Sequence, residues 1–123
     1  MNVLIVDDEV EAANFFGGFL RRLGLNVEKA NCGQEALKLF SSYKPEWVFL
    51  DFKMSDMNGL ELLKKMKEIN ANIKAILISG REDNSIRDEA QALGVSDYLV
   101  KPIDLDKIHG IIKKHIPEQN TIN

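Results

Sequence analysis

Short apolar runs alternate with longer segments of helical period from one end of the chain to the other, and this alternation is what most constrains the fold. Five runs have the length and composition of β-strands: residues 3–6, 26–30, 47–50, 75–78 and 98–100. The first, third and fourth runs are apolar throughout, which is typical of strands covered on both faces of a parallel sheet. The second run mixes apolar and polar residues and is more typical of an edge strand.

The segments that follow these runs carry apolar residues at helical spacing: residues 9–23, 34–42, 59–70, 84–93 and 105–116. We expect the stripe of the first helix that includes Phe15 and Phe16 to face the core, and likewise the stripe of the third that includes Met66 and Ile69. The fourth segment has few apolar residues at this spacing, so we expect it to pack weakly. Five βα units in a row predict the α/β class, a doubly wound parallel sheet with helices on both faces.

Composition predicts a single soluble domain. The chain has 123 residues, 45% of them hydrophobic and 28% charged, with a formal net charge of −3. No apolar run approaches the roughly 18 residues of a membrane span, and no basic segment precedes the first apolar run as in a signal peptide. The single cysteine, Cys32, suits a reducing compartment, and the acidic balance argues against nucleic-acid binding. We therefore predict a cytoplasmic protein with one domain over residues 1–116 and a polar, disordered tail over residues 117–123.

Polar side chains follow four of the five predicted strands at the point where each strand ends. Asp7 and Asp8 follow the first strand, Asp51 the third, Ser79 the fourth and Lys101 the fifth. Any one of these residues could simply belong to a turn, because turns favour Asp and Ser. Since the carboxyl ends of parallel strands meet at one edge of a sheet, we expect all five to converge there, where such sheets bind ligands.

Three carboxylates at one edge predict a metal site. Each pair repels by about 4 kcal/mol at ~4 Å and an effective dielectric near 20, so the cluster must take up protons or recruit a cation. The available ligands are hard oxygens, which select Mg²⁺, Mn²⁺ or Ca²⁺ over zinc, and Mg²⁺ is our expectation. A carboxylate beside Mg²⁺ and a lysine can attack phosphorus and form an acyl phosphate.

These residues and their neighbours resemble the response regulator receiver domain of two-component phosphorelay signalling. The resemblance covers roughly residues 2–116 and implies a flavodoxin-like (βα)5 fold with strand order 2-1-3-4-5. It is carried by five motifs: Leu4-Ile5-Val6-Asp7-Asp8-Glu9, Val48-Phe49-Leu50-Asp51-Phe52-Lys53-Met54, Met57-Asn58-Gly59, Ile78-Ser79-Gly80 and Tyr98-Leu99-Val100-Lys101-Pro102.

The resemblance implies a role for each acidic residue. Asp51 would be the phospho-acceptor. Asp8 and Asp51 would bind Mg²⁺ directly, and Asp7 would act largely through water. The backbone carbonyl of Lys53 would supply another metal ligand, a role that does not depend on its side chain.

The resemblance also implies roles for the later motifs. Ser79 and Lys101 would bind the phosphoryl group, and Ser79 and Tyr98 would form the switch that changes on activation; for Tyr98, a plain packing role stays open. The bond between Lys101 and Pro102 is expected to be cis. Ser55 stands where the family usually has proline, so the loop after the acceptor is expected to be less rigid.

Two further positions concern the lifetime of the phosphorylated form. Lys53 and Arg81 match the variable positions that, in this family, tune hydrolysis of the acyl phosphate. Two long cations there could shield the phosphoryl group, which predicts a longer-lived form than small or acidic residues would give. Two solvated surface charges are the alternative.

The predicted function is a phosphorylation switch that turns over no external metabolite and so is not an enzyme in the usual sense. The implied partners are a sensor histidine kinase or histidine phosphotransfer protein and a downstream protein target, and a phosphorylation-dependent dimer stays open. The alternatives are a Mg²⁺-dependent phosphatase with an aspartate nucleophile and a flavin-binding protein. The phosphatase typically needs a second Asp where this chain has Lys53, and the flavin site a Ser/Thr/Gly-rich loop where it has two acids. Whether the receiver stands alone or belongs to a longer regulator is also open.

Overall fold

The computed structural model describes residues 1–80 and 83–116, in which strands and helices alternate. The elements are β1 (Asn2–Val6), α1 (Val10–Arg22), β2 (Asn26–Ala30), α2 (Gly33–Tyr43), β3 (Trp47–Asp51), α3 (Gly59–Ile69), β4 (Lys74–Ser79), α4 (Asn84–Ala92), β5 (Asp97–Val100) and α5 (Leu105–His115). All neighbouring strands pair in parallel, in the order β2-β1-β3-β4-β5. The predicted α/β class and strand order are confirmed.

Each face of the sheet is covered by its own apolar cluster, because alternate residues of the strands point to opposite faces. On one face the strand residues pack with α1 and α5 through Phe16, Leu20, Ile108 and Ile112. On the other they pack with α2, α3 and α4, and Phe40 belongs to this second cluster. Burying a large apolar side chain contributes roughly 1.5–3 kcal/mol, so both layers stabilise the sheet and hold its strand ends in place.

Local signals set where several helices begin and end. Gly24 and Gly94 follow α1 and α4 with positive φ angles of 94° and 81°, a conformation that glycine adopts without steric cost. Asp104 caps α5 by accepting a hydrogen bond from the Asp106 N–H. Asn58 and Glu61 form a reciprocal capping box at the start of α3.

Two predicted core residues are exposed. Phe15 is 61% exposed, because α1 buries the face formed by Ala13, Phe16 and Leu20. Ile69 is 55% exposed. It is the last residue of α3 and lies beside Trp47 at the amino end of the sheet, where β3 begins.

The weak packing expected of α4 is confirmed. This helix, described in full, buries Ala90 alone. Among the helices of the described part of the chain, none is long and apolar enough to cross a membrane.

Candidate functional site

Three carboxylates meet at the carboxyl edge of the sheet. Asp7, Asp8 and Asp51 each place a carboxylate oxygen within 4.8 Å of the others. Asp7 and Asp51 are buried and Asp8 is exposed. The backbone N–H of Asp7 donates to the carbonyl of Ala30, and its Oδ1 accepts from the Glu9 N–H at 2.9 Å, so its orientation is fixed from two sides.

Lys101 brings a positive charge to these carboxylates. Its Nζ lies 3.2 Å from Asp51 Oδ2 and 3.6 Å from Asp7 Oδ2. The backbone N–H of Lys101 donates to the Ser79 carbonyl at 2.8 Å, which ties the end of β5 to the end of β4. The peptide bond from Lys101 to Pro102 is cis, as expected.

Glu9 also contacts Lys101, a contact that no pattern in the sequence predicts. Its Oε1 lies 3.3 Å from Lys101 Nζ, although the two residues are 92 positions apart in the chain. The only sign of a role for Glu9 in the sequence is its position directly after two acidic residues. This position does not indicate that Glu9 contacts the same lysine as Asp51.

The pKa values reflect crowding of negative charge. Burial, the largest cause, and the charge of Asp7 together raise the pKa of Asp51 to about 6, although Lys101 acts to lower it. Burial alone would lower the pKa of Lys101, but the charges of Asp51 and Asp7 outweigh burial and raise it. One lysine therefore does not neutralise the cluster fully, and a cation would relieve the remaining repulsion.

The loop that follows the predicted acceptor Asp51, residues 52–58 and called the acceptor loop below, borders the site. Lys53 is exposed and lines a cavity of about 450 Å³ together with Asp8, Asp51 and Lys101. The loop closes where the Gly59 N–H donates to the Phe52 carbonyl at 2.8 Å. A Cβ atom at Gly59 would lie 2.6 Å from the carbonyl oxygen of Asp51, so only glycine fits this approach of α3 to β3.

Two other predicted site residues lie on β4 and β5. Ser79 is buried at the end of β4 and pairs in register with Val100. Tyr98 is half-buried on β5, and its ring centroid lies 4.3 Å from the guanidinium carbon of Arg87 on α4. Arg81 lies outside the described residues.

The family is decided by a match over most of the chain. A family model described as the response regulator receiver domain matches residues 3–113. The chain belongs to this family. Receiver domains are the signalling domains of two-component systems, so the resemblance found in the sequence is confirmed.

Curated relatives include proteins of two sizes. Sporulation initiation phosphotransferase F of Bacillus subtilis is 32% identical over 115 residues, which are 94% of this chain and 93% of that protein. Transcriptional regulatory protein ZraR of Escherichia coli is 29% identical over the whole of this chain, which spans only 28% of that regulator. The chain thus matches nearly all of a small phosphotransferase and about a quarter of a longer regulator.

Solved receiver domains share the fold. A CheY-like receiver domain from Methanospirillum hungatei has a TM-score of 0.88 at 26% identity and covers 99% of this chain and 98% of its own. A CheX–CheY–BeF3–Mg²⁺ complex from Borrelia burgdorferi gives a TM-score of 0.86 at 28% identity, over 94% of this chain and 89% of that one.

Proposed function

We propose that this receiver domain is a Mg²⁺-dependent phosphorylation switch whose acceptor is Asp51. The observation that carries the proposal is the cluster of three carboxylates within 4.8 Å of one another, with Lys101 Nζ 3.2 Å from Asp51. A buried carboxylate with an elevated pKa beside a lysine is typical of a reactive site rather than of a structural ion pair.

The donor atoms of the site suit Mg²⁺. Asp8 and Asp51 would hold the ion directly, the carbonyl of Lys53 would add a third ligand, and Asp7 would act through water. Asp8 is exposed and Lys53 lines the open cavity, so water molecules can complete the coordination. The similar Borrelia structure is of a complex with BeF3 and Mg²⁺, which supports the same occupancy here. When bound, Mg²⁺ supplies positive charge to the oxygens of the transferring phosphoryl group.

The transfer step follows from the position of Asp51. One of its carboxylate oxygens attacks the phosphorus of a phosphohistidine, the P–O bond forms as the P–N bond breaks, and the electron pair returns to the imidazole. Lys101, already 3.2 Å from Asp51, would pair with a phosphoryl oxygen, and the hydroxyl of Ser79 would donate a hydrogen bond to another. These contacts strengthen as charge develops, so they favour the transition state over the unmodified carboxylate.

An apolar surface beside the site supports a protein as the phosphoryl donor. Phe15, 61% exposed on α1, lines a cavity of about 490 Å³ that also includes Glu9, Lys101 and Pro102. The donor is a sensor histidine kinase or a histidine phosphotransfer protein, since the chain resembles a sporulation phosphotransferase over nearly its whole length.

The output is a changed protein contact on the face formed by α4 and β5. A phosphoryl group that draws Ser79 toward Asp51 would act on the end of β4, the neighbour of β5. Tyr98 lies on β5 beneath Arg87 of α4, so a shift in either element alters the surface offered to a downstream target or to a second copy of the chain.

Incubation with acetyl phosphate and Mg²⁺ tests the proposal. We expect the intact mass to increase by one phosphoryl group, no increase when EDTA replaces Mg²⁺, and none in Asp51→Asn. Continued release of phosphate from many equivalents of a phosphate ester would instead support the aspartate-nucleophile phosphatase. That alternative lacks a carboxylate at position 53, where such enzymes carry their acid/base.

A further inference from the structure

The first turn of α2 receives its cap from the acceptor loop, a distant part of the chain. Cys32, the residue that precedes the helix, makes no side-chain hydrogen bond to it. Asp56 does so instead: its Oδ1 accepts from the Gly33 N–H at 2.9 Å and its Oδ2 from the Gln34 N–H at 3.0 Å. The carboxylate thus satisfies two of the N–H groups that a helix start leaves without partners.

A second contact joins the same two segments. The side chain of Met57 lies against Gly33, where an added Cβ would be 2.6 Å from both its Cγ and its Sδ. The two consecutive residues Asp56 and Met57 therefore fix the acceptor loop to the start of α2 by a polar and an apolar contact. The hydrogen bonds from Gly33 and Gln34 also lower the pKa of Asp56, which keeps it charged for this contact.

The start of α2 is itself tied to the other side of the carboxylate cluster. Ala30, the last residue of β2, accepts the backbone N–H of Asp7 at 3.0 Å, and only residues 31–32 separate it from the helix. Asp56 therefore links the loop after β3 to the strand ends that hold Asp7. Lys53 belongs to this loop and lines the cavity that also includes Asp8 and Asp51.

We propose that Asp56 is a positioning residue for the metal and phosphorylation site, because it holds the acceptor loop in register with the ends of β1 and β2. It acts through the loop and touches neither the phosphoryl group nor the ion. The inference rests on the proposed function in one respect, namely that the Lys53 carbonyl binds Mg²⁺. It also explains how a loop with exposed serine at position 55 is kept in place.

Glu35 provides a matched control. Its Oε1 accepts from the Asn31 N–H at 2.8 Å, so it is a second exposed carboxylate that accepts a backbone N–H at the start of α2. It makes this bond within its own segment and does not join α2 to the acceptor loop. Asp56→Asn and Glu35→Gln therefore remove the same charge from the same helix end, but only the first loosens the loop.

The test compares Asp56→Asn, Asp56→Gly and Glu35→Gln in the full chain. Amide hydrogen exchange without metal should rise across residues 52–58 in both Asp56 variants, whereas in Glu35→Gln it should rise only near residues 31–35. The Kd for Mg²⁺, measured by titration calorimetry, should increase about tenfold in the Asp56 variants and less than about twofold in Glu35→Gln.

The outcomes separate this inference from the proposed function. If exchange over residues 52–58 and the Kd of Asp56→Asn match those of Glu35→Gln, Asp56 is an ordinary helix cap and the positioning role is wrong. If the wild-type chain binds no Mg²⁺ and accepts no phosphoryl group, the proposed function fails, and the exchange comparison still decides whether Asp56 holds the loop.

Discussion

Asp51 carries its charge in surroundings that disfavour it. It is 5% exposed, the Asp7 carboxylate lies nearby, and Lys101 offsets only part of the penalty. A pKa of about 6 in place of the ordinary value makes the charged form unfavourable by ~3 kcal/mol above that pH. The same penalty makes the site receptive to Mg²⁺, because the ion stabilises the charged carboxylate that the fold alone does not.

Asp51→Asn should therefore stabilise the metal-free protein. Near pH 7.5 we expect its free energy of unfolding to rise by about 1–3 kcal/mol in urea titrations, because the substitution removes a buried, poorly compensated charge. Exposed Asp88→Asn should change it by less than about 0.5 kcal/mol. A destabilised Asp51→Asn protein would contradict this account of the cluster.

The difference in the free energy of unfolding between Asp51→Asn and the wild-type protein should depend on pH. The folded pKa of Asp51 is raised, so the native state takes up a proton before the unfolded state as the pH falls through about 6. Wild-type protein should therefore gain stability relative to Asp51→Asn between about pH 6 and pH 4, and the two unfolding curves should converge. A constant difference over this range would show that Asp51 titrates normally.

Lys101 and Asp51 should be coupled energetically. Lys101→Met should lower the free energy of unfolding of the metal-free protein by about 1–3 kcal/mol, because Asp51 and Asp7 lose the ammonium group that lies 3.2 Å and 3.6 Å from them. In the Asp51→Asn background the loss should shrink, since one of the two charges is gone. Equal losses in both backgrounds, measured as a double-mutant cycle, would mean that the 3.2 Å contact contributes nothing.

At the scale of single elements, the site depends on how closely α3 approaches β3. Gly59 begins this helix, and the space that a side chain would need there is filled by the Asp51 carbonyl. Gly18 in α1 offers the opposite environment, because, apart from its chain neighbours and the backbone of its own helix, no described atom lies within 4 Å of the position a Cβ would take. Substitutions at the two positions test whether packing or helix propensity determines the change in stability when each glycine is replaced.

Alanine at these two positions should act in opposite directions. Gly59→Ala should destabilise the protein by about 1–3 kcal/mol and weaken Mg²⁺ binding, because backbone must move beside Asp51. Gly18→Ala should stabilise it by about 0.5–1 kcal/mol through helix propensity alone. Thermal and urea unfolding measure both changes, and a tolerated Gly59→Ala would show that the approach of α3 can relax.

Elements were predictable from the sequence where local patterns specify them. The apolar runs gave five strands and the helical spacing five helices, and the convergence of Asp7, Asp8, Asp51 and Lys101 followed from parallel strand ends. The strand order came from the family resemblance. Contacts between distant segments left no local pattern: Asp56 meets Gly33 across 23 positions and Lys101 meets Glu9 across 92. Helical spacing predicts Phe15 in the core, but the side chain is exposed, because spacing alone does not say which part of a wide apolar stripe meets the sheet.

In the whole molecule, the site and the proposed output face share the β4 and β5 end of the sheet. β4 ends at Ser79 and lies between β3, which carries Asp51, and β5. α4, which covers this region, buries only Ala90, whereas α3 buries Gly59, Leu60, Leu62, Leu63 and Met66. A weakly anchored helix can shift at small energetic cost, so α4 is suited to respond to a change at Asp51.

Hydrogen exchange should show that α4 is less strongly anchored than α3. In the unphosphorylated protein we expect amides of α4 to exchange faster than those of α3, because fewer buried contacts must break to open the helix. Addition of acetyl phosphate and Mg²⁺ should change protection over residues 84–100 and leave β2 unchanged. The Asp51→Asn protein is the control, and the same change in that variant would show that phosphorylation is not its cause.

Chemical trapping of the acyl phosphate tests most directly whether Asp51 is the phospho-acceptor. After incubation with acetyl phosphate and Mg²⁺, borohydride reduces an aspartyl phosphate to homoserine, which peptide mass spectrometry locates in the chain. The account predicts homoserine at position 51 alone, dependent on Mg²⁺. Homoserine at position 7 or 8, or a stable phosphoryl group on another residue type, would contradict the assignment of Asp51 as the acceptor.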